Sequence, residues 1–546
     1  MILNRFYIRH KLIFVSLLLT VGAASVYSQA TSALTKKWQW KDLASDSIHG
    51  TSLANAEQVL NLFPAPAPII IAVLDGGIDT NHKDIKSLLW TNTKEIPNNN
   101  IDDDHNGYVD DIHGWNFLGG KNGQNINKAS SEKARIYHAF KAMYENKTVD
   151  TISLSRIEKK QYRSWLAAAN QIDFSEEERA NLKYVTMSRN VLNRVITTLY
   201  KERLDSNFKV DSLENYQPLG RIGLEAKMVY LKTVTVLGVD KSMGAKDILE
   251  DLNEYIDSKE KMSIEKDQAP APIRAKIVQD NYDDFNDKYY GNNDIMGPNS
   301  KHGTHVAGLA SNMTNYIRIM GVRVVPDGDE YDKDIALGIH YAVDNGAKII
   351  NMSFGKSFSP QQAWVDSAIR YAASKDVLLI HSAGNEKYDL NTLSVYPNPY
   401  SDIFNDTANN IITVAASSDP IINGSLLTDF SNFGNKVVDL MSPGDNIYST
   451  IPNNNYANMS GTSMSAPIVS HIAALIRAYF PQLTAPEVKN ILMKSCWTPQ
   501  DKATKTTLLS ICKTGGIVNA SNAVQYAQEY IASRPAQKIK SRKNKN

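Results

Sequence analysis

Cysteine is nearly absent from this chain: Cys496 and Cys512 are the only two among 546 residues. Neither lies near the N-terminus, which excludes attachment through a lipidated N-terminal cysteine. One disulfide between them suits an exported protein, and two unrelated thiols suit the sequence equally; a chain this long does not need the staple. An excess of charge of either sign is also missing. The formal net charge is +1, so nothing global points to nucleic acid or to acidic substrates. Past the first residues no apolar run is long enough to span a bilayer, which argues against a stable membrane span in the mature protein. The hydrophobic share of 42% and charged share of 21% are those of a soluble globular protein. The length suggests about two to four domains, or one large domain carrying an insertion.

What is present begins with a leader. Arg5, Arg9 and Lys11 precede the apolar run "LIFVSLLLTVGAA" (12–24), and small or polar residues follow up to Ser28–Gln29. The run is shorter than the ~20 residues of a membrane span. The pattern predicts a cleaved signal peptide over 1–28 and an exported mature protein, in the periplasm, at the cell surface or outside the cell. A short N-terminal extension, 29–64, runs into the linker "FPAPAP" (63–68).

"IIIAVLD" (69–75) is a continuous, β-branched run, as expected of a strand buried on both faces. Strand and helix patterns then alternate after residue 300. Strands are expected at 316–325, 347–355, 377–385 and 410–417, and helices at 332–346 and 360–376. That alternation predicts an α/β fold, a doubly wound, mostly parallel sheet, with ligands bound where the strands end. Residues 121–285 read differently. In 176–204, Leu182, Val185, Leu192, Val195, Ile196 and Leu199 fall on one helical stripe. The expected organisation is therefore an α/β domain in two parts, 65–120 and 286–532. A mostly helical insertion, 121–285, separates them, and a basic tail, 533–546, ends the chain.

"SKHGTHVAGLAS" (300–311) holds His302 and His305, which share a helix face. Spacing alone leaves a metal pair, a catalytic base and two ordinary helix residues all open. Zinc would need a third protein ligand, and no comparable cluster is present. "NMSGTSMSAP" (458–467) runs small residues into a helical pattern, so its serines stand in the positive field of a helix N-terminus, where an oxyanion is stabilised. His82, close after Asp75, reads as a surface loop residue.

The constellation is more specific than its parts. "AVLDGGIDTNH", "HGTHVAGLAS", "SAGNE" and "GTSMSAP" resemble the four signature blocks of the subtilisin-like serine proteases (subtilases), in that family's order. The resemblance covers 69–118 and 286–524 and leaves out the insertion. Two further stretches, 88–117 and 289–308, are similar to a bacterial branch of the family. The resemblance implies a serine endopeptidase acting on peptide or protein substrates. It makes Ser463 the nucleophile, His302 the base, Asp75 the residue that orients the imidazole, and Asn385 a donor to the oxyanion. His305 is then a supporting residue. The resemblance further implies that Ser353, Phe354 and Gly355 pair with extended substrate, and that Ser382, Ala383 and Gly384 border the pocket before the cut. The sequence departs from the family pattern in the distance between Asp75 and His302. The two must still meet, so the insertion is expected to bulge from the surface, where it could act as a lid. A processing protease with one dedicated partner, or a non-catalytic scaffold on the same fold, are the rival readings.

"DDDHNGYVDD" (102–111) carries a second pattern. Asp102, Asp104 and Asn106 alternate, Gly107 permits a sharp turn, Tyr108 follows, and Asp110 and Asp111 close the run. The spacing resembles the first half of a calcium loop, with His113 where a bidentate Glu is usual. A structural Ca²⁺ is expected here; the alternative is a solvated acidic turn.

Overall fold

The computed structural model describes residues 37–202, 207–239, 241 and 243–534. The leader 1–28 and the basic tail beyond its first two residues lie outside the described residues. The strands are, in chain order, β1 (Ile69–Asp75), β2 (Gly114–Asn116), β3 (Ile317–Arg323), β4 (Ile349–Met352), β5 (Leu378–Ser382), β6 (Tyr400–Ser401), β7 (Asp406–Thr407), β8 (Ile411–Ser417), β9 (Leu440–Pro443), β10 (Ile447–Ile451) and β11 (Asn455–Met459). Seven form one sheet in the order β2-β3-β1-β4-β5-β8-β9. Every pairing in it is parallel. β6–β7 and β10–β11 are separate antiparallel ribbons.

The continuous apolar runs are explained by what covers each face. Side chains alternate along a strand. Ile71 and Val73 of β1, with Ile349, Leu378, Ile380 and Ile412, join one core under the helices Lys301–Ser311 and Thr462–Tyr479. Ala72 and Leu74, with Ile350, Leu379 and Ile411, join the other under the helices Asp332–Asp344 and Gln362–Ser374. The sheet is thus doubly wound, with helices on both faces of an α/β fold. Thr462–Tyr479 is buried along nearly its whole length, because Met464, Ile468, Val469, Ile472 and Ile476 have apolar neighbours on every side.

Two strands are shorter than their apolar runs. β4 ends at Met352, so Ser353, Phe354 and Gly355 follow the strand and do not extend it. Ser353 leaves the ladder because it exchanges hydrogen bonds with Ser463. β5 ends at Ser382, and Gly384, at φ +100°, turns the chain.

Residues 37–64 are built into the molecule. Trp38 is fully buried and donates its indole N–H to the Asp445 carbonyl at 3.0 Å. The helix Leu53–Leu60 packs on the helix Ala520–Ala532 through Leu53, Ala56, Ala523 and Ala527. Cys496 and Cys512 are both free thiols.

Between β2 and the helix Lys301–Ser311 the chain runs through the helices Glu132–Tyr144, Arg156–Gln171, Glu176–Glu202, Val210–Glu214, Arg221–Val236, Ala245–Ile264 and Ile273–Ile277. Val185, Leu192, Ile196 and Leu199 pack with Tyr230, Val234, Ile248, Leu252 and Ile256 in a core of their own. Buried ion pairs fasten this block to the sheet domain. Lys356 Nζ lies 2.8 Å from Glu132 Oε2 and 2.8 Å from Asp332 Oδ1. Arg274 bridges Asp280 at 2.8 Å and Asp334 at 2.7 Å.

Candidate active site

β1, β4 and β5 lie side by side, with Leu74 opposite Met352 and Met352 opposite His381. Their carboxyl ends therefore share one edge, and Asp75, Ser353 and the turn at Gly384–Asn385 stand along it. That is where ligands gather in an open parallel sheet. The helix bearing His302 and the helix bearing Ser463 both begin there, so each presents first-turn residues to the same edge.

Asp75 is almost fully buried. Its two carboxylate oxygens lie 2.9 and 3.0 Å from His302 Nδ1, and Oδ1 also accepts the Gly76 amide at 2.7 Å. A carboxylate facing Nδ1 fixes the proton there and leaves Nε2 as the lone-pair nitrogen. His302 Nε2 is buried and has no hydrogen-bond partner among the described residues. The contact depends on two glycines. A Cβ at Gly303 would stand 2.1 Å from the Gly77 carbonyl oxygen and 3.0 Å from Asp75 Oδ1. Gly77 has φ +140°, and a Cβ there would meet the Met296 carbonyl at 2.0 Å. Only glycines let helix and strand come this close.

Ser463 donates its hydroxyl to the Ser353 carbonyl at 3.1 Å, and Ser353 Oγ returns a bond to the Ser463 carbonyl at 2.9 Å. Asn385 Oδ1 accepts from the Thr462 amide at 2.8 Å and from Thr462 Oγ1 at 3.1 Å. This turns the carboxamide oxygen toward the helix and its NH₂ the other way. Gly384 donates its amide to Thr462 Oγ1 at 3.0 Å. The fold therefore joins Asp75 with His302, Ser463 with Ser353, and Gly384 and Asn385 with the residue before Ser463. Gly355 is exposed, whereas Ser353, Phe354, Ser382 and Ala383 are buried, with Phe354 in the core under the Asp332–Asp344 helix.

His305 and His82 have structural partners. His305 is fully buried, with Nε2 3.0 Å from the Ile447 carbonyl and 3.1 Å from that of Ala457; burial pushes it down to about 3. It ties its helix to the β10–β11 ribbon. His82 is a correction to the expected surface loop. It is fully buried, edge-on to Tyr456, and its Nδ1 accepts the Asp84 amide.

The acidic loop folds around its own amides. Asp102 accepts from the Asn106 amide at 3.0 Å and the Gly107 amide at 2.8 Å, and Asn106 Oδ1 accepts from the Tyr108 amide. Carboxylate oxygens of Glu95, Asp102 and Asp104 lie within 4.8 Å of one another. Glu95 carried no spacing signal. It reaches the loop from outside and accepts the Asp104 and Asp110 amides. Asp110 accepts from the Asn99 and Asn100 amides, and Asp111 from Tyr341, Asn92 and Asn106. Tyr108 lends its ring to the core beside Trp115 and Tyr341.

The sequence profile of the Subtilase family matches residues 67–515. Thermitase of Thermoactinomyces vulgaris is 34% identical over 266 residues, covering 46% of this chain and 86% of its own length. The thermophilic serine proteinase of Bacillus sp. (strain AK1) is 34% identical over 259 residues, 44% of this chain and 56% of its own. The major intracellular serine protease of Bacillus subtilis (strain 168) is 35% identical over 208 residues, 36% of this chain and 60% of its own.

Proposed function

We propose that this chain, which belongs to the subtilase family and is a serine-type endopeptidase, cuts peptide bonds through Asp75, His302 and Ser463, and that it is exported. The observation that carries this reading is the two-oxygen contact of Asp75 with His302 Nδ1, which leaves Nε2 free at the edge where the Ser463 helix begins. Ser463 Oγ attacks the scissile carbonyl carbon while its proton passes to His302 Nε2. For this the hydroxyl leaves the Ser353 carbonyl on which it rests. The tetrahedral oxyanion takes hydrogen bonds from the Asn385 NH₂ and the Ser463 backbone N–H, at a helix N-terminus. Asp75 stabilises the imidazolium. His302 then protonates the leaving amine, and water, deprotonated by the same nitrogen, frees the acyl group from Ser463. Extended substrate lies along Ser353–Gly355, with Ser382–Gly384 bordering the pocket before the cut.

We further propose that Glu95, Asp102 and Asp104, with Asn106 and the Tyr108 carbonyl, hold a structural Ca²⁺. The donor set supports this: three carboxylates converge, and among the described residues the cation paired with them is the exposed Lys94, 4.0 Å from Asp104. Hard oxygen donors of this kind suit Ca²⁺, whose charge relieves their repulsion. Export rests on the leader pattern; among the described residues no helix is long and apolar enough to cross a membrane. Mass spectrometry of the mature N-terminus is expected to find it near residue 29.

The deciding experiment labels the purified protein with a serine-directed phosphonate, beside Ser463→Ala. Labelling of the unaltered protein alone, at Ser463, is the expected result. Labelling that persists in Ser463→Ala would overturn the assignment.

A further inference from the structure

Lys301 immediately precedes His302, in the first turn of the same helix. Its Nζ lies 3.3 Å from Asp251 Oδ1, on the helix Ala245–Ile264 of the inserted block. Glu250, Asp251 and Glu254 occupy neighbouring positions on that helix, one face of which meets the lysine. Neither partner is a free surface group: the Lys301 side chain is 34% exposed and that of Asp251 15%. Burial by itself would lower Lys301, but Asp251, Glu254 and Glu250 hold it above its usual value, and burial holds Glu254 above its own.

This contact bears on the imidazole. Attack by Ser463 converts His302 to a cation. The positive end of the helix opposes that cation, and so does any uncompensated ammonium on the adjacent residue. Asp75 favours it from β1. Other charged or titratable groups near His302 have partners of their own, although Arg323 keeps a buried Nη1 without one among the described residues. Asp79 accepts the Asn81 and Asn453 amides. Arg323, beside Asp75 on β3, donates to the Gly76 carbonyl and to Asn127. His305 is held by the β10–β11 ribbon. From the helix Thr462–Tyr479, Ser463 bonds Ser353 and His471 faces the Ala310 carbonyl. Lys301 is thus the charge next to His302 whose compensation comes from the insertion.

We propose that Asp251 is a positioning residue for catalysis: with Glu250 and Glu254 it neutralises Lys301, so that the inserted helix sets how readily His302 accepts the proton of Ser463. This inference rests on the assignment of His302 as the base. It gives the insertion a direct electrostatic part in turnover.

The test measures the rate of phosphonate labelling of the full-length protein against pH, at low and high salt. Asp251→Asn removes the counter-charge that bonds the ammonium and leaves Glu250 and Glu254 to offset it in part, which disfavours imidazolium, so the acid limb moves to lower pH. Lys301→Met leaves the carboxylates and moves it to higher pH. Each shift is expected at roughly 0.3–1 pH unit, shrinking in high salt, and the double variant returns close to the unaltered protein. Melting curves identify any variant that fails to fold, and Lys301→Met keeps the test open if Asp251→Asn does fail. If His302→Ala labels at the full rate, the base assignment falls. If His302→Ala is inert while all the other limbs superimpose, the coupling alone is overturned.

Discussion

Glu330 is a carboxyl group buried beside Lys356, with Oε1 lacking a partner among the described residues. Burial pushes it up to about 7 from an ordinary 4.5, and Lys356 offsets only part of that. The sign follows from proton counting. Between about pH 4.5 and 7 the folded chain holds a proton that the unfolded chain has released, so stability falls as pH rises through this window. Glu330→Gln removes the titration. Its melting temperature is expected to rise relative to the parent at pH 8 and to change little at pH 4.5; equal shifts at both pH values would exclude the effect. At this scale the sequence was uneven. The meeting of Asp75 with His302, and of Asn385 with the residue before Ser463, was legible through the resemblance of four short blocks, whose neighbours have structural duties, such as Gly303 beside Asp75. Glu95 and Asp251 carried no such context. Their partners are set by tertiary packing, and an acidic residue on an amphipathic helix looks the same whether it meets solvent or Lys301.

At the scale of elements, the first helix of the insertion is tied to the residue that follows Gly355. Glu132 is nearly buried, and Arg135 Nη2 meets its Oε2 at 2.7 Å while Lys356 meets it at 2.8 Å. Burial would raise Glu132, but Lys356 and Arg135 pull it down to about 2. The stability it contributes is therefore present above about pH 4.5 and is lost as pH falls toward 2. Glu132→Gln leaves a buried ammonium short of one counter-charge. It is expected to cost about 3–5 kcal/mol at neutral pH, read from urea unfolding. A cost below about 1 kcal/mol, the worth of an exposed pair, would mean that the ammonium is satisfied without Glu132. In the sheet domain β1, β3, β4, β5 and β8 and the helices between them were readable from apolar pattern, whereas the short strands β2 and β9 carried too little of it to be read. The ends of β4 and β5 were not readable either, because periodicity does not record that Ser353 bonds Ser463 or that Gly384 turns.

At the scale of the whole molecule, the acidic loop and Glu95 pin the segment between β1 and β2. Chelating Ca²⁺ with EGTA is expected to lower the melting temperature. Restoring Ca²⁺ to about 100 times its Kd is expected to return about 2.7 kcal/mol, with Mg²⁺ a poor substitute. Asp102→Asn with Asp104→Asn abolishes the response; an EGTA-insensitive melt would exclude the ion. The order of the sheet has a different consequence. β1 sits between β3 and β4, and both neighbours lie far downstream in the chain. As the polypeptide leaves the ribosome, Ile69–Asp75 has no strand of this sheet to join through its full length until residues beyond Arg323 have emerged. Closing so long a loop is slow. Asp75 and His302 are consequently assembled late, after the inserted helices have had time to collapse on their own apolar stripe. The sheet edge that gathers Asp75, His302 and Ser463 is therefore complete only after most of the chain has been synthesised.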